Sequence, residues 1–313
     1  MFAKYCCGLY IVLWFFLLTV TFVQSRLDAN DEAPIWEGAE SILQEKRISE
    51  KACYQYKKAN ERNNSHRTTR GIGADEAEFP HMVALGYPET DGEVLWLCGG
   101  SLIAAEFVLT TGHCIVTREY GPPTKVRMGV NDLTDLTSPN KQDIKVESVI
   151  IHPEYNVRSK KNDIGIVRLK KRAMFNQYVQ PACLYTEKND PQTAILTTWN
   201  VVNFTEDGPK LNTLQKTRVY SFNLTECNAL YKTKLKKEVN EKQICAINNQ
   251  TDPCESNSGG PLQVKNLNSN VYSIVGMTSY GIPCVSNYPD VYVRVSAYLD
   301  FIEWNVWPNI DHK

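Results

Sequence analysis

The sequence predicts an all-β fold, a barrel or a sandwich, with one helix at its C-terminal end. Three observations lead there. Short runs rich in Val, Ile and Tyr recur from Glu78 onward, at 100–110, 125–130, 144–151, 164–169, 272–280 and 291–295. Gly, Pro and Asn punctuate these runs, as the turns between short strands require. Helical spacing shows only near the end, where Tyr298, Phe301, Ile302 and Val306 share a face flanked by Trp304 and Trp307.

The elements follow in chain order. The 313 residues are enough for one large domain or two smaller ones. Residues 1–25 have the pattern of a secretory signal: Lys4, an apolar stretch from Gly8 to Val23, then the polar break Gln24-Ser25-Arg26. That stretch of 16 residues is shorter than the 18 or more of a spanning helix, and a signal-anchor is the alternative reading. Residues 26–70 are polar and charged, and Glu61 to Arg70 has the composition of an exposed linker. Residues 71–313 carry the strand pattern.

A net charge of −1 argues against a nucleic acid as partner. Lys141, Lys145, Lys160, Lys161, Lys170, Lys171 and Arg172 are read as a solvated face. Ten cysteines are present, and removing Cys6 and Cys7 with the leader leaves an even eight, as expected of a secreted, extracellular protein with disulfides. Spacing alone allows 105 pairings of eight cysteines. No Cys-x-x-Cys follows the leader, so no zinc site, other metal or cofactor is expected. Asn63, Asn203, Asn223 and Asn249 open Asn-x-Ser/Thr sequons and are candidate glycosylation sites.

Three motifs carry the chemistry. Ser258 lies in Asp252-Pro-Cys-Glu-Ser-Asn-Ser-Gly-Gly-Pro-Leu262, His113 in Thr110-Thr-Gly-His-Cys114, and Asp163 in Asn162-Asp-Ile-Gly-Ile-Val-Arg-Leu169. A serine hydroxyl becomes a useful nucleophile when an adjacent base removes its proton. A histidine can be that base if a carboxylate fixes its tautomer and stabilises its charged form. The order His, Asp, Ser differs from that of the α/β-hydrolases and the subtilisins. These motifs resemble those of the trypsin/chymotrypsin-like serine proteases. The nearest resemblance is to insect snake/easter-type members, through Phe79-Pro-His-Met82 and the ending Tyr298-Leu-Asp-Phe-Ile-Glu-Trp304.

The resemblance covers residues 71–313 and implies two six-stranded antiparallel β-barrels with a C-terminal helix. It makes His113, Asp163 and Ser258 the catalytic residues and the backbone N–H groups of Ser256 and Ser258 the oxyanion hole. It places Asp252 on the floor of a pocket for Lys or Arg, and pairs Ser279-Tyr280-Gly281 with the substrate backbone. It pairs Cys98 with Cys114, Cys227 with Cys245, Cys254 with Cys284, and Cys53 with Cys183. The last pair makes residues 26–70 a light chain; with one cysteine, that segment is not a clip domain. Implied partners are protein substrates, an upstream activating protease and inhibitors such as serpins, acting on a monomer.

Four departures bear on activity. The family's Gly-Asp before the serine is here Ser256-Asn257, so a new terminus made by cleavage between Arg70 and Gly71 has no carboxylate to pair with. That terminus reads Gly71-Ile72-Gly73 where the family has Ile-Val-Gly-Gly. A pocket glycine is replaced by Asp290, and Gly-Trp-Gly by Thr198-Trp-Asn200. The sequence therefore supports a zymogen of a trypsin-like endopeptidase. A catalytically weak or silent homologue with a binding role is the alternative.

Overall fold

The structure, a computed structural model, describes residues 46–65, 77–88, 94–199, 212–248, 258–267, 269–281 and 288–308, without the side chains of 62–65. From Ile48 onward the chain forms one compact unit. Its first barrel is built from β1 (Met82–Pro88), β2 (Val94–Ala104), β3 (Phe107–Thr110), β4 (Lys125–Met128), β5 (Gln142–Ile151) and β6 (Gly165–Leu169). The order is β1-β2-β3-β6-β5-β4, and β1 pairs with β4 to close it. Alternate inward side chains, among them Val83, Leu85, Tyr87, Val108, Val126 and Val167, make its core.

The second barrel uses β8 (Thr193–Trp199), β9 (Leu214–Phe222), β10 (Gln243–Ile247), β11 (Pro261–Lys265), β12 (Tyr272–Tyr280) and β13 (Asp290–Arg294). Its order is β11-β8-β9-β10-β13-β12, closed by the β11–β12 pairing, and the two-residue β7 (Cys183–Leu184) adds in parallel to β12. Closure pairs each barrel strand with two neighbours over part of its length. A shared apolar cluster joins Ile103, Leu109 and Ile166 of the first barrel to Ile274 and Met277 of the second. The terminal helix, here called α4 (Leu299–Val306), packs Leu299, Ile302 and Val306 into that cluster after a 3₁₀ turn at Val295–Tyr298.

The structure adds helices that sequence patterning did not predict. α1 (Ile48–Ser65) occupies much of the stretch read as linker. Hydropathy misses it because its docking face is polar. Ser49, Cys53, Tyr56 and Asn60 recur at spacings of four, three and four, which is one helical face. Ser49 Oγ donates to Glu303 Oε1 (2.5 Å), Tyr56 Oη to the Ile103 carbonyl (2.9 Å) and Asn60 Nδ2 to Gln180 Oε1 (2.6 Å). Cys53 is disulfide-bonded to Cys183 across a Cα separation of 4.9 Å. α2 (Gly112–Ile115) is a single turn, and α3 (Leu224–Leu235) is capped by Asn223, whose side chain accepts from the N–H groups of Thr225 and Glu226. Asn223 is exposed. β8 and β9 also went unrecognised, since most of β9 faces outward with Gln215, Lys216 and Arg218 exposed.

Candidate active site

The site is assembled where the barrels meet. Strand β3 delivers the chain into α2, whose first residue, Gly112, leaves room for an acid. A Cβ there would meet Asp163 Oδ1 and the Tyr155 ring at 3.3 Å. Asp163 therefore reaches the His113 backbone, accepting its N–H at Oδ1 (2.8 Å), while Oδ2 lies 2.7 Å from His113 Nδ1. A carboxylate at Nδ1 holds that nitrogen's proton and leaves Nε2 free as the base. Ser279, on β12 of the other barrel, donates its hydroxyl to Asp163 Oδ2 at 2.6 Å.

Asp163 is 1% exposed. Burial alone would raise its carboxyl, but the hydrogen bond and charge of His113, the Ser279 hydroxyl and the charge of Lys160 outweigh it and hold the group below its ordinary range. Asn162 aims this acid. It adopts a left-handed backbone (φ 51°), which asparagine tolerates. Its Nδ2 donates to the Glu154 carbonyl (3.1 Å), and its Oδ1 accepts from Tyr298 Oη (3.1 Å) and Lys242 Nζ (3.4 Å).

Ser258 is anchored between the barrels by backbone bonds. Its carbonyl accepts the Gly99 N–H at 2.9 Å, and the Gly259 N–H donates to the Thr278 carbonyl at 2.9 Å. Gly259 has φ +78°, and a Cβ on it would collide with Thr110 Oγ1 and stand 3.1 Å from Cys114 Sγ. The Cys98–Cys114 disulfide thus ties Gly99, which binds Ser258, to the residue that follows His113. A third disulfide, Cys227–Cys245, fastens α3 to β10.

On the edge of β12, Tyr280 stacks edge-on to Tyr231 (centroids 5.5 Å apart) and accepts from Gln243 Nε2 at 3.3 Å. Gly281 is in contact with the Asp290 carboxylate, Oδ1 foremost. Asp290, at the start of β13, is partly buried, and burial lifts its carboxyl from 3.8 to about 6. Tyr231 Oη donates to the Pro289 carbonyl at 2.7 Å and so fixes the approach to Asp290. Among the described residues no cation pairs with it. Asp290 and Gly281 therefore sit together.

One reading needs correction. Lys145, Lys161, Lys170, Lys171 and Arg172 are exposed, and Lys141 is partly buried with Nζ donating to the carbonyl of the exposed Leu136, but Lys160 is not part of a solvated face. It is partly buried, with Nζ 3.5 Å from Tyr155 Oη and close enough to Asp163 to feel its charge. Tyr155 and Lys160 were missed because nothing in their local sequence marks them; their significance comes from packing beside Asp163. Asp252, Cys254, Ser256, Asn257, Cys284, Arg70, Gly71, Asn203, Asn249 and the Asn63 side chain lie outside the described residues, as does the leader. No described helix is long and apolar enough to cross a membrane.

Two closed barrels, with the buried Asp163 bonded to the partly buried His113 at their junction and Ser258 fastened to Gly99 on β2, have the architecture of a serine protease. The family model "Trypsin" matches residues 69–302, and the chain belongs to that family. It is similar to serine protease Hayan of Drosophila melanogaster (34% identity over 92% of this chain and 48% of that one). It is also similar to serine protease snk of the same organism (35%, over 72% and 53%) and to phenoloxidase-activating factor 3 of Holotrichia diomphalia (37%, over 75% and 71%). The chain thus spans about half the length of the first two. The crystal structure of the Drosophila Grass clip serine protease of the Toll pathway shares the fold, with a TM-score of 0.61 and 24% identity over 76% of this chain and 71% of that one.

Proposed function

We propose that this chain is a secreted trypsin-like serine endopeptidase, made as a zymogen and cleaving proteins after Arg or Lys. The observation that carries the reading is the Asp163 carboxylate, which is buried and bonded at once to the His113 ring, the His113 backbone and Ser279. Such a carboxylate fixes the imidazole and stabilises its charged form. His113 Nε2 takes the Ser258 proton as Oγ attacks the peptide carbonyl, then returns that proton to the leaving amine. Water, activated by the same imidazole, releases the acyl group from Ser258. The backbone N–H groups of Ser256 and Ser258 receive the developing oxyanion, with each such donor typically worth about 2.7–4 kcal/mol. Asp252 attracts the substrate cation, Asp290 narrows the pocket where the family has glycine, and Ser279-Tyr280-Gly281 adds the peptide as an extra strand.

In this reading residues 1–25 are the leader, 26–70 a light chain held by the Cys53–Cys183 bridge, and 71–313 the protease domain. Cys254–Cys284 completes the disulfides, and glycans attach at some of the four sequons. Relatives named for activating phenoloxidase or processing Spaetzle support protein substrates; the reading adds an upstream protease acting at Arg70 and inhibitors such as serpins.

A second reading rests on Ser256, Asn257 and Asp290. An ammonium inserted opposite Asn257 lacks its ionic partner, and breaking a buried pair costs about 3–5 kcal/mol. That favours a weak or silent homologue that binds other proteins. Labelling of the Arg70-cleaved protein by a fluorophosphonate separates the two. Labelling lost in Ser258→Ala supports the protease, and no labelling with no cleavage of arginyl peptides leaves the silent homologue.

A further inference from the structure

Two ammonium groups flank the edge of β12. Lys160 adopts a left-handed backbone (φ 58°) that turns its side chain onto Tyr155, whose ring packs against Gly112 beside His113. Lys237 follows the left-handed Lys236 that ends α3, and its Nζ lies 4.6 Å from the centroid of the Tyr280 ring. Both are partly buried. Their exposed neighbours Lys161 and Lys232 share Glu238, but among the described residues no carboxylate lies within ion-pair distance of Lys160 or Lys237. The two are close enough for the charge of Lys237 to disfavour the charged form of Lys160, after burial and against the pull of Asp163. A carboxylate placed between them would relieve that repulsion and gain two partners in a partly desolvated site.

We propose that Lys160 and Lys237 form a specificity-determining subsite for an acidic side chain, Asp or Glu, within the three substrate residues before the one that enters the pocket. The proposal rests on the peptide being added along Ser279-Tyr280-Gly281. A strand laid there sends alternate side chains to opposite faces, with same-face neighbours roughly 6.6–6.8 Å apart. One face then meets the Tyr155 and Lys160 side, and the next residues pass over the Tyr280 and Lys237 side. Exposed lysines lack this role because solvent screens them.

The test uses the full chain cleaved at Arg70 and fluorogenic arginyl peptides with Glu or Gln at each of the three preceding positions. At one position or more, Glu raises kcat/KM about fivefold over Gln at low salt, and the ratio shrinks as salt rises. Lys160→Asn, which suits the left-handed backbone, and Lys237→Gln each lower that ratio. Reversing both charges with Lys160→Asp and Lys237→Glu makes a further arginyl peptide, with Lys at the responsive position, a better substrate than the Glu peptide, a gain that a merely misfolded variant does not give. A ratio near one at all three positions overturns the proposal, as does a preference that survives in the doubly neutral variant. If no peptide is cut, the protease reading fails separately. Binding of the same fluorescent peptides to Ser258→Ala, followed by anisotropy, then decides the subsite by the ratio of Glu to Gln affinities.

Discussion

Replacing Asp290 by asparagine removes a charge that the fold holds against Gly281 without a cation among the described residues. The carboxyl is raised by burial from 3.8 to about 6. Below pH 3.8 it is protonated in both folded and unfolded chains and affects stability little. Between 3.8 and about 6 the unfolded chain ionises first, so stability falls as pH rises, and above about 6 the loss is complete. At about 1.4 kcal/mol per pH unit, the loss reaches about 3 kcal/mol. The asparagine side chain has nearly the same shape and no charge. Asp290→Asn is therefore expected to gain up to about 3 kcal/mol at pH 7.5, or roughly 6–12 °C in Tm for a unit of this size. The gain should fade by pH 4. Thermal melts of both proteins, disulfides intact, at pH 4, 5.5 and 7.5 measure it. Benzamidine, a cation that can pair with the carboxylate, should raise the wild-type Tm more than the variant's. A Tm difference that does not change with pH would refute the reasoning, because the carboxylate would then be solvated or already paired.

Five further outcomes are expected. Asp163→Asn should lower kcat roughly 10⁴-fold, because the imidazole loses the acceptor that sets its tautomer. Ser279→Ala should fall between that variant and wild type, with arginyl-peptide turnover as the readout. Gly259→Ala should destabilise by ~2–4 kcal/mol through its positive φ and the collision with Thr110, seen as a lower denaturation midpoint. After cleavage at Arg70, the Cys53–Cys183 bridge should keep the chains together as one band on non-reducing gels and two on reducing gels. Asn257→Asp alone should raise activity little. Combined with Ser256→Gly and an Ile-Val-Gly-Gly terminus it should gain more than the product of the separate effects, since contacting groups are not additive.

The predicted strand at 272–280 coincides with β12, and the other five runs overlap strands, because their Val, Ile and Tyr content reflects a local preference. The run at 100–110 proves to be two strands, its boundary marked only by the turn at Ala105–Glu106. α1 was illegible for a different reason. Its ordering comes from Glu303, Ile103, Gln180 and Cys183, none of which is near it in sequence.

By itself, then, the sequence determined the family, the strand-rich fold class, the order His113, Asp163, Ser258 and the departures at Ser256, Asn257 and Asp290. These are properties of residue identity and short spacing, readable along the chain. Tertiary structure alone decided that Ser279 holds Asp163 across 116 residues, that Asn162 aims it and that Asp290 faces Gly281. It also decided that Lys160 leaves the solvated face while Lys161 stays on it. Those outcomes depend on which surfaces two closed barrels press together. Hydrogen bonding and desolvation act through space, so no local pattern encodes them.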